Sequence, residues 1–169
     1  MLNFNIESTK IQLLATVLNI GTEKAFQKIR QYCAYQERNH HEVKEKLYSY
    51  GLYKDQVETL IAQLIEEDFL NEERYAVAFA GGRFRIKDWG KVKIKYEMKK
   101  HQISDYCIKK ALLTIKADEY RQKLQKLFDA KLKTLKSEKN IYNKKRKLQS
   151  YLLQKGYETA LISELFRTL

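Results

Sequence analysis

The sequence predicts an all-α protein made of three tandem three-helix (helix-turn-helix-like) repeats forming an elongated, curved array. Three observations lead there. Among 169 residues there is no proline, and glycine stands only at 21, 51, 81, 82, 90 and 156, so the main helix breakers are nearly missing. Apolar residues recur at intervals of three and four, as in Val43, Leu47 and Tyr50, in Val57, Leu60, Ile61 and Leu64, and in Ile94 and Met98. That spacing collects side chains on one face of a 3.6-residue helix, and no convincing period-two alternation competes with it.

The third observation is internal repetition. Val43, Leu47, Gly51, Leu52, Val57, Leu60 and Ile61, advanced by 51, become Ile94, Met98, Gln102, Ile103, Ile108, Ala111 and Leu112. Advanced by 105 they become Leu148, Leu152, Gly156, Tyr157, Ile162, Leu165 and Phe166. All but the turn position are apolar in every copy. Gly51 and Gly156 follow one helix and precede another, where a left-handed C-terminal cap is expected. Gln102 fits that cap poorly, which predicts a strained or differently shaped second turn.

The elements follow in order. Residues 1–21 fit no repeat; Ile11, Leu14 and Leu18 suggest a short added helix ending at Gly21. Repeat 1 covers 22–70, repeat 2 covers 71–117 and repeat 3 covers 118–169. Each opens with a longer amphipathic helix, at roughly 23–37, 72–86 and 118–137. Their inward residues are expected to be Ala25, Ile29, Tyr32 and Cys33, then Tyr75, Ala76 and Phe79, then Tyr120, Leu124, Leu127, Phe128 and Leu132. Units of about 50 residues bury little alone, so neighbours should share faces. The twelve tyrosines read mostly as inward positions with polar tips.

Charge divides the chain. Residues 1–70 hold 8 basic and 10 acidic side chains, 71–117 hold 12 and 5, and 118–169 hold 13 and 6, for a net charge of +12. A field of that sign favours a polyanion. No phosphate-binding loop or dinucleotide fingerprint is present, and Gly81-Gly82 falls inside a predicted helix with no strand before it. His40 and His41 are adjacent and point apart, and His101 is solitary, so no metal site is expected. Glu66-Glu67-Asp68 reads as a solvated acidic helix end. Cys33 and Cys107 lack ligand-spaced partners and read as buried structural thiols of a reducing, cytoplasmic protein. No apolar run approaches the ~20 residues needed to span a membrane, and no secretion signal is visible. No cofactor, no catalysis and no membrane association are expected, and the chain reads as a monomer.

The basic clusters carry the functional reading. The first is Arg83, Arg85, Lys87, Lys91, Lys93, Lys95, Lys99 and Lys100. Within it Lys91, Lys95 and Lys99 form a stripe four residues apart, off the Ile94–Met98 face and with Glu97 as the only acid on that helix. The second is Lys144, Lys145, Arg146 and Lys147. A third runs along Lys123, Lys126, Lys131, Lys133, Lys136 and Lys139. Clusters on consecutive repeats point to polyanion binding. Trp89, the only tryptophan, reads as a staple between its loop and the following helix, with stacking on a base or a partner side chain as the alternative.

One stretch gives a family resemblance. Leu64-Ile65-Glu66-Glu67-Asp68-Phe69-Leu70-Asn71-Glu72-Glu73-Arg74-Tyr75-Ala76 resembles the most recognisable segment of RecX proteins. Phe79, Arg83, Gly90, Ile94, Glu97 and Met98 continue the pattern. Arg38, Glu42-Val43, Lys46-Leu47 and Gly51 look like its first repeat, and Leu152 to Tyr157 is similar to its third-repeat turn. The resemblance covers about 23–169; Gln102 and Met98 depart from it. It implies a cytoplasmic bacterial regulator, without catalytic residues, that binds the RecA recombinase filament on single-stranded DNA and limits its growth, strand exchange, ATP turnover and co-protease activity. Contact with duplex DNA phosphates is left open. Two other readings compete. A stand-alone helix-turn-helix-like DNA-binding protein would read bases with its last helices, but these offer only Lys109, Lys110 and Arg167. A protein-only scaffold would leave the uneven positive charge without a purpose.

Overall fold

The computed structural model describes residues 19–167. Among them are nine helices and no strand: α1 (Thr22–Tyr35), α2 (His40–Tyr48), α3 (Lys54–Glu66), α4 (Glu72–Lys87), α5 (Lys91–Lys100), α6 (Asp105–Leu113), α7 (Ala117–Thr134), α8 (Ile141–Lys155) and α9 (Thr159–Phe166). They fall in threes, as the repetition predicts. None among the described residues is long and apolar enough to cross a membrane. The helix expected around Ile11, Leu14 and Leu18 lies outside the described residues; Gly21 itself is the N-cap of α1, at φ 79°.

The chain condenses into two compact units, divided within α4 between Tyr75 and Ala76. Unit 1 holds α1, α2, α3 and the start of α4. Its core is the apolar face the periodicity predicts, with Ala25, Ile29, Val43, Leu47, Val57 and Leu64 fully enclosed. Burying each large aliphatic side chain stabilises by about 1.5–3 kcal/mol. Local chemistry sets the helix boundaries. Asn39 begins α2 with a capping box: its Oδ1 accepts from Glu42 N–H at 2.8 Å, and its own N–H donates to Glu42 Oε2 at 3.1 Å. Asn39 is also the one buried polar side chain among the described residues, and its amide donates to Tyr75 Oη at 3.2 Å. Cys33 is buried, and loss of hydration pushes its thiol up to about 11.

Glu66-Glu67-Asp68 is more than a solvated surface. Asp68 closes α3 in the left-handed region at φ 57°, with Phe69 N–H returning to Leu64 C=O at 2.8 Å. Arg74 then clasps the turn. Its guanidinium donates to the Asp68 carboxylate and carbonyl, each at 2.8 Å, and to Glu37 at 2.5 Å. Fixed spacing in this segment thus serves a helix stop followed six residues later by an arginine that caps it.

Unit 2 contains the rest of α4 and both later repeats. Ile94, Met98, Ile108, Leu148, Leu152 and Ile162 are enclosed. Three rings, Phe84, Tyr120 and Tyr157, form a file with centroids 5.8 and 5.0 Å apart. Phe79 is not the inward ring of α4. It is half-buried and stacks on His101 at 5.3 Å, while Ala80 and Phe84 occupy the core. Tyr75 and Ala76 face inward as expected, but beyond them the buried positions of α4 continue at Ala80 and Phe84, one residue on from Phe79.

The tyrosines are a second correction. Only Tyr75, Tyr120 and Tyr157 are buried, whereas Tyr35, Tyr48, Tyr53, Tyr96, Tyr106 and Tyr142 are exposed. On the second repeat Lys100 lies over Tyr96 at 4.8 Å and Lys110 over Tyr106 at 5.3 Å. Rings at the margin of an apolar face share its periodicity, and a lysine four residues on covers them from outside.

The second turn is also not differently shaped. Gln102 takes φ 58°, in line with 79° at Gly51 and 88° at Gly156. Ile103 N–H reaches Met98 C=O at 3.2 Å, as Tyr157 N–H reaches Leu152 C=O at 3.2 Å. The strained half of that expectation holds, since a side chain in this region costs about 1–2 kcal/mol. Enclosure of Met98 and Ile103 on either side fixes the geometry regardless.

Candidate functional site

Unit 2 concentrates the charge. Up to Tyr75 the sequence has 9 basic and 12 acidic side chains, and from Ala76 on it has 24 and 9, or −3 against +15. The surface that results depends on how α5 and α8 meet. Gly90 N–H donates to Lys155 C=O at 2.8 Å, and Val92 N–H to Gly156 C=O at 3.1 Å. Between them Lys91 N–H donates to Tyr120 Oη at 2.8 Å, and that hydroxyl donates onward to Glu158 Oε2 at 2.7 Å. The donors at the start of α5, which no side chain caps, are therefore met by the acceptors at the end of α8 and by one phenol. Gly90 and Gly156 are required: a Cβ on the first would overlap the Gly156 carbonyl, and one on the second would overlap Lys93. The buried Tyr120 hydroxyl, stripped of water and bonded to the Glu158 carboxylate, has its pKa driven far upward.

This junction uses several lysines of the first basic cluster structurally. Lys91 is half-buried, with its ammonium 3.4 Å from Ile115 C=O and 5.1 Å over the Tyr120 ring. Lys93 reaches Gln154 C=O at 3.2 Å. From the other side Lys155 reaches Lys87 C=O at 3.1 Å, and Lys123 holds Arg85 C=O at 2.9 Å and Asp88 at 2.7 Å. Ammonium groups on the free carbonyls of helix ends are favourable in their own right. On α5 itself Lys99 pairs with Asp105 at 3.2 Å and Lys100 with Glu97 at 3.6 Å. The stripe Lys91, Lys95, Lys99 is thus unequal: Lys95 is exposed and makes no ion pair among the described residues.

Trp89 takes the staple role. It is half-buried between α4 and α5, with the Arg83 guanidinium 5.2 Å and the Lys93 ammonium 4.8 Å from its ring centre. Arg83 also lies over Phe79 at 4.8 Å. The indole binds the loop to α5 by holding two cations of the cluster side by side. Arg85 and Lys87 are exposed on the last turn of α4.

In the third repeat Lys144, Lys145, Arg146 and Lys147 follow the Asn140 cap of α8, whose Oδ1 accepts from Tyr142 N–H at 2.9 Å and Asn143 N–H at 3.2 Å. Lys147 pairs with Glu138 at 2.6 Å. Arg146 and Lys147 share a groove with Lys131, Ser150, Tyr151 and Gln154. The fold thereby joins the second basic cluster to part of the third, and through Gln154 to Lys93 of the first. Ser150, Tyr151 and Gln154 are the members that cluster reading missed. Their signal was available: 147, 150, 151 and 154 stand at i, i+3, i+4 and i+7, a single polar helix face.

Fold and site together define a helical tandem-repeat protein whose later repeats present a cationic surface set with aromatic rings. Comparison with known proteins gives the same architecture a family. Residues 71–112 match the second three-helix domain of RecX, and residues 118–166 match its third. The regulatory protein RecX of Clostridium acetobutylicum is 33% identical over 129 residues, 75% of this chain and 59% of that protein. That of Clostridium perfringens is 30% identical over 129 residues, 76% of this chain and 60% of that protein. The crystal structure of RecX from Lactobacillus salivarius superposes with a TM-score of 0.78 at 28% identity, covering 88% of this chain and 96% of that one. The chain belongs to the RecX family of regulatory proteins. It spans about 60% of the length of these two Clostridium relatives.

Proposed function

We propose that the chain binds the RecA recombinase filament on single-stranded DNA and restrains it, lowering filament growth, ATP turnover, strand exchange and co-protease activity in recombination, repair and SOS control. It acts by occupancy, as a cytoplasmic monomer with no cofactor and no catalysis of its own. The observation that carries this reading is a coincidence: the repeats that match RecX domains are those of the unit with net charge +15. A nucleoprotein filament offers phosphates and acidic side chains together, and a positive field of this kind speeds and strengthens encounter with both. The contact set comprises Arg83, Arg85, Lys87, Lys91, Lys93, Lys95, Lys99 and Lys100 on repeat 2 and Lys144, Lys145, Arg146 and Lys147 on repeat 3. Arg85, Lys87, Lys95, Lys145 and Arg146 lead it, since each is exposed and makes no ion pair among the described residues.

The test is an ATPase assay of RecA from a matched bacterium on single-stranded DNA, with this protein added in steps. Turnover is expected to fall to a plateau. An unchanged trace at saturating protein, alongside binding to bare DNA, would favour the stand-alone DNA-binding reading instead.

A further inference from the structure

We propose that the groove between α7 and α8 is a site for an unpaired polynucleotide, with phosphates on Lys131, Arg146 and Lys147 and one base against the ring of Tyr151. This rests on reading unit 2 as nucleic-acid-binding, and it does not require RecA. The groove is lined by Lys131, Arg146, Lys147, Ser150, Tyr151 and Gln154, with no acid among them. It is an open surface depression of about 700 Å³, roomy enough for a nucleotide to lie on without being buried.

Three features select an unpaired strand. Packed helix axes lie about 8–10 Å apart, so the depression along their seam is narrow and follows a single backbone better than the body of a duplex. Tyr151 is half-buried in the furrow, with the Lys131 ammonium 5.2 Å and the Lys155 ammonium 5.9 Å from its ring centre. Lysines over a ring are mobile cations that can move to a phosphate and leave the face for a base. In a duplex the base faces are stacked and closed to such a ring; in a single strand they are open, and every base has one. Ser150 and Gln154 add polar side chains beside the ring that can hydrogen-bond to a base edge. At one end Lys93 is tied to Gln154 C=O at 3.2 Å, and Lys93 stands over Trp89 at 4.8 Å. The track therefore passes from repeat 3 to repeat 2.

One ion pair opposes the ligand. Glu138 pairs with Lys147 at 2.6 Å and carries a carboxyl whose pKa is lowered by that lysine. A phosphate on Lys147 has to displace this carboxylate.

The experiment uses the whole chain and fluorescence anisotropy with labelled oligo-dT, oligo-rU of equal length and a duplex of equal length. Tyr151→Ala is expected to weaken binding to the unpaired strands about tenfold, as loss of one stacked base does, and to leave the duplex within about twofold. Tyr151→Phe is expected to match wild type, and Tyr151→Leu, which keeps apolar bulk, to resemble Ala. The Phe and Leu pair decides the matter should the Ala variant fold poorly. Glu138→Gln is expected to strengthen unpaired-strand binding severalfold. The deoxy and ribo strands separate a DNA site from an RNA site. Equal losses on duplex and single strand from Tyr151→Ala, or wild-type binding by Tyr151→Leu, would overturn the groove. RecA inhibition that survives such a result would leave the proposed regulatory function standing, and failure of RecA inhibition with an intact Tyr151 effect would do the reverse.

Discussion

Unit 1 and unit 2 are built on one repeat pattern, but unit 2 adds a second way of satisfying its helix ends. In unit 1 side chains do much of it: the Asn39–Glu42 capping box, the Gln56 amide oxygen that accepts from Tyr53 N–H and the Arg74 clasp on Asp68 and Glu37. Acids and bases there are nearly balanced and largely neutralise one another. Unit 2 also uses side-chain caps, Ser104 on α6 and Asn140 on α8, but where α5 meets α8 backbone meets backbone, at Gly90 to Lys155 and Val92 to Gly156, with lysine ammoniums on nearby carbonyls. That junction consumes few carboxylates, so the surplus of cations stays at the surface. The difference shows how a repeat protein can confine a binding field to one part of its length: it closes that part with hydrogen bonds that need no counter-charge.

The glycines of unit 2 are where this contrast is most vulnerable. Gly156→Ala inserts a methyl group into Lys93 at a backbone φ of 88°. It is expected to cost about 3 kcal/mol or more, in the range of overpacking plus backbone strain. Urea denaturation followed by far-ultraviolet circular dichroism checks this, and a loss under about 1 kcal/mol would mean that the junction is looser than its hydrogen bonds imply.

Next in size are two phenols that tie each unit. Tyr120→Phe removes the acceptor of Lys91 N–H and the donor to Glu158, and leaves both part-buried groups without that partner. A loss of about 1–3 kcal/mol is expected. Tyr75→Phe removes one bond from the Asn39 amide and should cost about 1 kcal/mol. Equal losses would mean that unit 2 depends no more heavily on its junction than unit 1 does on its caps.

Charge provides a sharper contrast. Replacing Lys144, Lys145, Arg146 and Lys147 with Ala is expected to weaken single-strand binding and to flatten the plot of log K against log salt by about 0.7 for each phosphate that is no longer neutralised. Replacing Lys24, Lys28, Lys46 and Lys54 of unit 1 should leave that slope unchanged. Salt titration of both variants tests the division of labour directly.

An alkaline titration should separate the units more gently. Burial holds the Cys33 thiol up to about 11 from an ordinary 9.0. The folded state retains that proton where the unfolded chain has released it. The associated stability is complete below pH 9 and is lost as pH rises to about 11. Cys33→Ala should flatten this part of the stability profile in a chemical-denaturation series.

The smallest effect expected is a gain. Gln102→Gly removes a side chain from φ 58° and exchanges strain for unfolded-chain entropy. A net stabilisation of about 0.5–1 kcal/mol is expected in the same denaturation assay. A loss would mean that the Gln102 side chain makes an interaction worth more than the strain.

Much of this protein was determined by sequence alone. Periodicity, the absence of proline and a threefold pattern were sufficient for the nine helices among the described residues, because amphipathic spacing and helix propensity are local properties. The enclosed positions Val43, Leu47, Ile94, Met98, Leu148 and Leu152 were legible for the same reason. Charge counts located the basic region, since charge is additive along the chain. Tertiary structure decided the rest. It decided that Phe84 and not Phe79 enters the core, that Lys91 turns to a carbonyl while Lys95 faces water, and that Gln102 adopts a glycine's conformation. It also brought Lys131 beside Arg146 and Tyr151, and Gly90 against Gly156, across tens of residues of sequence. Such pairings depend on how closely two helices approach, and that distance is set by the packing of both at once.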